Sequence, residues 1–165
     1  MSTEHADIKE EPFTDEQVQL VIDLVKDIKK RHLVRADRII GHGEIQPDNK
    51  TDPGILFPWE KLADAGLIPW PNSDQVNAVE VAIKVLPEVD WWQLELAKAG
   101  YDSPHTGIWD EHTRKLVQVF RDKYEPKTAR LPISAHSVAL LTVINSPNGL
   151  WIKQADGQRV VFNRK

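Results

Sequence analysis

The chain has 165 residues and a mass of 18.8 kDa, enough for one ordinary domain or two very small ones. Hydrophobic residues make up 41% and charged residues 28%, the balance of a globular chain rather than a disordered one. A net charge of −4 with a pI near 5.9 excludes nucleic-acid binding by bulk positive charge, no apolar run approaches the ~20 residues of a membrane span, and zero cysteines exclude disulfides and thiolate metal sites.

Residues 1–12 read as a polar, acidic arm with neither the basic start nor the apolar stretch of a signal peptide. A helix is predicted from Thr14, where Thr14 and Gln17 fit a capping box and Asp15 and Glu16 suit the positive end of the helix dipole. Val18, Val21, Ile22, Val25 and Ile28 form its apolar stripe, and Lys26, Lys29, Lys30 and Arg31 read as a solvated C-terminal end. The run Arg38 to His42 reads as a buried strand. Pro47, Pro53, Gly54 and Pro58 make the following stretch a loop, with Asp48 and Asn49 as turn formers. A short helix is expected from Trp59 to Ala65, closed by Gly66, and a linking helix from Ser73 to Leu86.

The second half reads as three short amphipathic helices around a small core. Asp90 with Gln93 opens the first and Gly100 closes it; Asp110 caps the second and Ser134 the third. Tyr101 and Trp109 are expected to fill the core. Trp91 and Trp92 cannot both face inward on one helix, which leaves one to bind sugar or cover a neighbouring unit. Trp59 and Trp70 are expected in the core rather than in a sugar groove. The last segment has two strand-like runs around Asp156-Gly157, a type I′ hairpin signal. If Arg38 to Gly41 is a strand, it needs a partner for its backbone groups, and this hairpin is the candidate.

The stretch richest in chemistry runs from His42 to Gly54. Imidazole and carboxylate are both zinc ligands, and Asp52 stands ten residues after His42, with Lys50 two before it. A loop folded back at Pro47, Asp48 and Asn49 would bring His42 and Asp52 to one ion. A lysine beside such a metal suits the oxyanion formed when a carbonyl is attacked. Spacing alone favours a plainer reading, in which His42 is a loop histidine and Lys50 and Asp52 a surface ion pair.

The run RIIGHGEIQPDNKTDPGILFPWEKLADAGLIPWP resembles the C-terminal part of the zinc-dependent N-acetylmuramoyl-L-alanine amidases of type 2, through His42, Pro47, Lys50, Asp52, Pro53, Gly54, Phe57, Pro58 and Trp59. The preceding helix from Pro12 fits as well. The resemblance implies zinc as cofactor, His42 and Asp52 as metal ligands, Lys50 as the catalytic lysine that stabilises the transition state, and peptidoglycan or muropeptides as partners. It also implies work in the periplasm, the outer membrane or outside the cell. Glu95 to Tyr124 resembles the three-helix peptidoglycan-binding module often joined to these enzymes. The chain departs from the family pattern at Gly43-Glu44, where Ser-Asp is common, and at Asn49, where Arg is common.

One zinc histidine and the catalytic glutamate of the family lie upstream of the helix that starts here at Thr14. His5, His32, His105, His112 and His136 read as surface or helix-end histidines. The chain is therefore expected to hold an incomplete amidase site. The alternative is a non-catalytic peptidoglycan-binding protein; an interaction protein with no wall role is weaker. The expected fold is α+β and mainly helical, with part of an amidase domain over 1–72, a linker helix over 73–89, a three-helix module over 90–146 and a hairpin tail over 147–165.

Overall fold

The computed structural model describes residues 11–48 and 53–163, and at His42 the backbone alone. The fold is α+β and mainly helical, with one small antiparallel sheet among the described residues.

Helix α1 spans Asp15–His32. Its start is the predicted capping box: Gln17 N donates to Thr14 Oγ1 at 3.1 Å, and Thr14 N donates to Gln17 Oε1 at 2.9 Å. Val18 and Ile22 are buried, whereas Leu20 and Leu24 point outward at 70% and 56% exposure. Lys29 is not simply solvated. It is half-buried and its Nζ donates to Leu67 O at 3.3 Å, and burial lowers its pKa.

The expected strand from Arg38 to His42 does not form. Ala36–Arg38 is a single 3₁₀ turn, Ile39 is extended without a ladder partner, and Ile40 is 47% exposed. An apolar run becomes a strand only when a neighbour takes its backbone groups, and the sheet of this fold lies elsewhere. His42 instead opens a one-turn helix, α2 (His42–Ile45). Helix α3 follows at Trp59–Asp64, and Gly66 closes it with φ 77°.

Strand β1 is Trp70–Pro71, β2 Leu150–Lys153 and β3 Arg159–Val161, in the order β1-β2-β3. The hairpin is present, but it pairs with Trp70–Pro71 rather than with Arg38 to Gly41; Trp70 faces Trp151 and Pro71 faces Leu150. The turn also differs from type I′. Only Gly157 has positive φ, at 84°. Gly157 N donates to Gln154 O at 2.9 Å and Gln154 N to Gln158 O at 2.8 Å. A loop longer than two residues no longer needs both central residues left-handed.

Helices α4 (Ser73–Ala82), α5 (Val89–Lys98), α6 (Glu111–Tyr124) and α7 (Ala135–Ile144) enclose the larger core. Helix α4 stops four residues before the expected Leu86, with Ile83 extended. Helix α5 starts at Val89 after Glu88, so Asp90 lies inside the first turn and is not its cap. Asp110 caps α6 as expected, accepting from Thr113 N at 2.8 Å. Seven of the ten residues of α7 are buried. A helix apolar on nearly every side belongs in a core centre. Trp92 is buried there and Trp91 packs edge-on against it, ring centroids 5.1 Å apart. Burying one tryptophan removes roughly 150–250 Å² from water, about 4–6 kcal/mol of transfer free energy.

The smaller core joins Val18 and Ile22 of α1 to Trp59, Leu62, Ala63, Leu67, Ile68, Trp70 and Trp151. Trp59 and Trp70 are thus core residues, at 6% and 8% exposure. Tyr124, at the end of α6, packs against both cores.

Candidate functional site

The segment carrying His42 is held from two directions. Locally, Gly41 N donates to Glu44 Oε2 at 2.6 Å, and Glu44 N to Gly41 O at 3.1 Å. A carboxylate three residues into a short helix thus satisfies an otherwise free amide. Gly41, Gly43 and Pro47 are buried.

From the far side, Lys123 of α6 donates from Nζ to Glu44 Oε1 at 2.8 Å, both side chains being only 9% exposed. The Tyr101 hydroxyl lies 3.4 Å from the same oxygen. The Lys123 ammonium also sits 4.5 Å from the centre of the Trp59 ring. Burial works against its charge; Tyr124 and the Glu44 carboxylate outweigh that, and the Lys123 pKa is raised. The Lys123 ammonium is therefore charged at neutral pH.

The loop after α2 is fastened in the same way. His112 Nδ1 lies 2.7 Å from Asp48 Oδ2 and its Nε2 2.8 Å from Asp102 O, while Lys115 Nζ donates to Asp48 O at 3.2 Å. The hydrogen bond to Asp102 O is the chief influence raising the His112 pKa; burial opposes it, and Asp48 adds to it.

Beyond the loop, Gly54 takes φ 84° and Phe57 N donates to Gly54 O at 3.3 Å. Phe57 lies edge-on to Phe13 at 5.6 Å and to Trp59 at 4.9 Å. The aromatics of the Phe-Pro-Trp run therefore belong to the smaller core.

Of the residues singled out in the sequence, the backbone of His42 begins α2, and Lys50 and Asp52 lie outside the described residues, as does His5. Among the described residues no three His, Asp or Glu side chains are grouped to hold a metal ion, so they do not by themselves make a zinc centre. His136 Nδ1 lies 3.0 Å from Glu80 Oε2, and His112 is engaged as above.

The motif reading gives Glu44, Asp48, His112 and Lys123 no part in the site. A signal for two of them exists. Glu44 occupies the capping position relative to Gly41. Lys123 falls seven residues after Leu116, on the buried stripe of α6, where an unpaired lysine is rare.

An open cavity of about 490 Å³ lies beside this clamp, with Ile39, Ile40, Glu44, Tyr101 and Lys123 among its walls.

The chain has relatives among known proteins. Residues 1–55 match the family N-acetylmuramoyl-L-alanine amidase. N-acetylmuramoyl-L-alanine amidase AmiD of Escherichia coli (strain K12) is 33% identical over 117 residues, which are 70% of this chain and 42% of that protein. A putative N-acetylmuramoyl-L-alanine amidase of Rickettsia conorii is 27% identical over 121 residues, 68% of this chain and 45% of its own length. The solved complex of E. coli AmiD with anhydro-N-acetylmuramic acid-L-Ala-D-gamma-Glu-L-Lys has a TM-score of 0.70 and 28% identity, over 79% of this chain and 51% of that one. AmpDh3 of Pseudomonas aeruginosa shares the fold, with a TM-score of 0.69 at 22% identity over 82% of this chain and 54% of that one. The chain is homologous to these amidases, and it spans less than half the length of the curated relatives it matches.

Proposed function

We propose that this chain is part of a peptidoglycan amidase that hydrolyses the amide between N-acetylmuramic acid and L-alanine in muropeptides. The observation that carries the reading is the likeness to AmiD in complex with a muramyl peptide, at 28% identity over 79% of this chain. Zinc is the proposed cofactor, with His42 and Asp52 as its ligands from this chain; when bound, it supplies a Lewis acid. A catalytic zinc takes three protein ligands, so these two need a third from outside the motif. Lys50 is the proposed catalytic residue, its ammonium stabilising the oxyanion that develops on the amide carbonyl. The proposed division is an amidase part over 1–72, a linker over 73–89, a peptidoglycan-binding-like unit over 90–146 and a hairpin tail over 147–165.

The test is zinc titration of the purified chain, with hydrolysis of an anhydromuramyl peptide followed by chromatography. One zinc per chain, lost in His42→Ala, supports the metal assignment. Cleavage that a chelator abolishes and that Lys50→Met reduces by roughly 10²–10³, the loss typical of one oxyanion donor, supports the enzyme. A second reading, wall binding without turnover, rests on the resemblance of Glu95 to Tyr124 to a peptidoglycan-binding module. It expects sedimentation with insoluble peptidoglycan that persists in His42→Ala while no cleavage is detected.

A further inference from the structure

Besides the Tyr101 hydroxyl near Glu44, two side-chain contacts reach the His42 segment from α6. Lys123 meets Glu44, 79 residues away in sequence, and His112 meets Asp48, 64 residues away. Both anchors follow His42 in the chain: Glu44 lies within α2, where it also accepts from Gly41 N, and Asp48 ends the described part of the loop. Lys115 adds a third hold on Asp48 through its backbone carbonyl.

The Lys123–Glu44 contact differs in kind from an ordinary surface pair, whereas His112–Asp48 is partly exposed, its side chains at 29% and 50%. Lys123 and Glu44 are both 9% exposed at the side chain. Removing one partner of a buried pair leaves the other charge without compensation, a much larger penalty than losing an exposed pair. The Lys123 ammonium also stands 4.5 Å and 5.5 Å from the ring centres of Trp59 and Tyr124, so Glu44 is one of several groups that hold it. Since Glu44 holds the Gly41 amide through its other oxygen, the position of Lys123 is relayed to the backbone on both sides of His42.

We infer that Lys123 and His112 are positioning residues: α6 serves as the rear support that fixes the Gly41–Asp48 backbone, which carries His42, through the Lys123–Glu44 and His112–Asp48 contacts. The unit that resembles a wall-binding module is thereby a structural component of the proposed amidase site. The role assigned to His42 rests on the function proposed above; the support itself does not.

The test uses the full chain and amide hydrogen exchange. Lys123→Met should speed exchange at Gly41 and Glu44 at least tenfold, leaving Leu141 and Val143 in α7 unchanged. Lys123→Arg should restore most of the protection, because it returns a cation to Glu44. His112→Ala, a change at a partly exposed site, should accelerate tryptic cleavage after Lys50 several-fold relative to cleavage after other lysines. Zinc affinity supplies the functional arm, with both substitutions expected to weaken it about tenfold. Unchanged exchange at Gly41 and Glu44, or equal acceleration in α7, overturns the support. Faster exchange with zinc affinity unaltered overturns the bearing of this support on the metal role proposed for His42. A wild-type chain that takes up no zinc overturns the metal assignment proposed above, and the exchange and cleavage arms then decide the support alone.

Discussion

Arg121 has almost no contact with water, yet every direction of its guanidinium is answered. Nε donates to Glu125 Oε1, Nη1 to Leu131 O at 2.6 Å, and Nη2 to Thr128 O at 2.7 Å. Glu125 in turn accepts from Ser137 and Thr128. A planar five-donor fork suits several carbonyls at once, which an ammonium could not do. The segment from 126 to 132 forms no helix or strand, but this side chain, with Glu125, binds it to α6 and α7. Gln93 plays the same part at the other end of the unit, donating to Thr106 Oγ1, Ile108 O and Thr113 Oγ1 and accepting from Gly107 N. Neither role was legible, because both depend on partners brought together only by the fold. His112 carries the pH dependence at this scale. Its pKa is raised in the folded state. Its stabilising contribution is therefore full below the unfolded value of about 6.5 and is lost as pH rises through the folded pKa. Urea unfolding across that window should show stability falling with rising pH, and His112→Asn should flatten the slope. An identical slope in the variant would rule the assignment out.

Local rules carried most of the helices. Thr14 with Gln17, Asp110 with Thr113, and the glycines after α3 and α5 mark boundaries that the structure reproduces. These signals act within four residues, which is why a sequence displays them. The run Arg38 to Gly41 has strand composition and no strand, since pairing depends on a neighbour that composition does not specify. Trp70–Pro71 forms a strand despite its prolines because an edge position tolerates a residue that cannot donate. Gly66 joins local and distant demands. It has φ 77°, and a Cβ there would stand 2.5 Å from Lys153 O at the end of β2. Gly66→Ala should cost about 1–3 kcal/mol by chemical denaturation, the range for a non-glycine residue held in an unfavourable backbone region. A loss below about 0.5 kcal/mol would mean that β2 simply moves aside.

At the scale of the whole molecule, the two cores are not separable by inspection of the motif. Tyr124 packs into both, with ring centres 4.9 Å from Trp70 and 5.2 Å from Phe120. Strand β2 contributes Trp151 to one core and Leu150 to the other. A boundary crossed by shared side chains and a shared strand transmits unfolding of one part to the other. Tryptophan fluorescence and far-ultraviolet circular dichroism should therefore give coincident urea transitions with one midpoint. Two resolved midpoints would establish that the cores melt independently. The candidate site was legible only as a motif: Gly-His and Lys-x-Asp-Pro-Gly can be read locally, but the α6 support spans separations of 64 and 79 residues.

The small sheet has a further consequence. One outer strand ends in Pro71, which has no amide hydrogen to offer, and the other carries Arg159, whose guanidinium lies 4.1 Å from the Trp151 ring centre. Imino acids and charges along a border discourage templated addition of strands from other molecules. The ribbon can fasten residues 70–71 to the strands at 150–161 without seeding fibrils in concentrated solution.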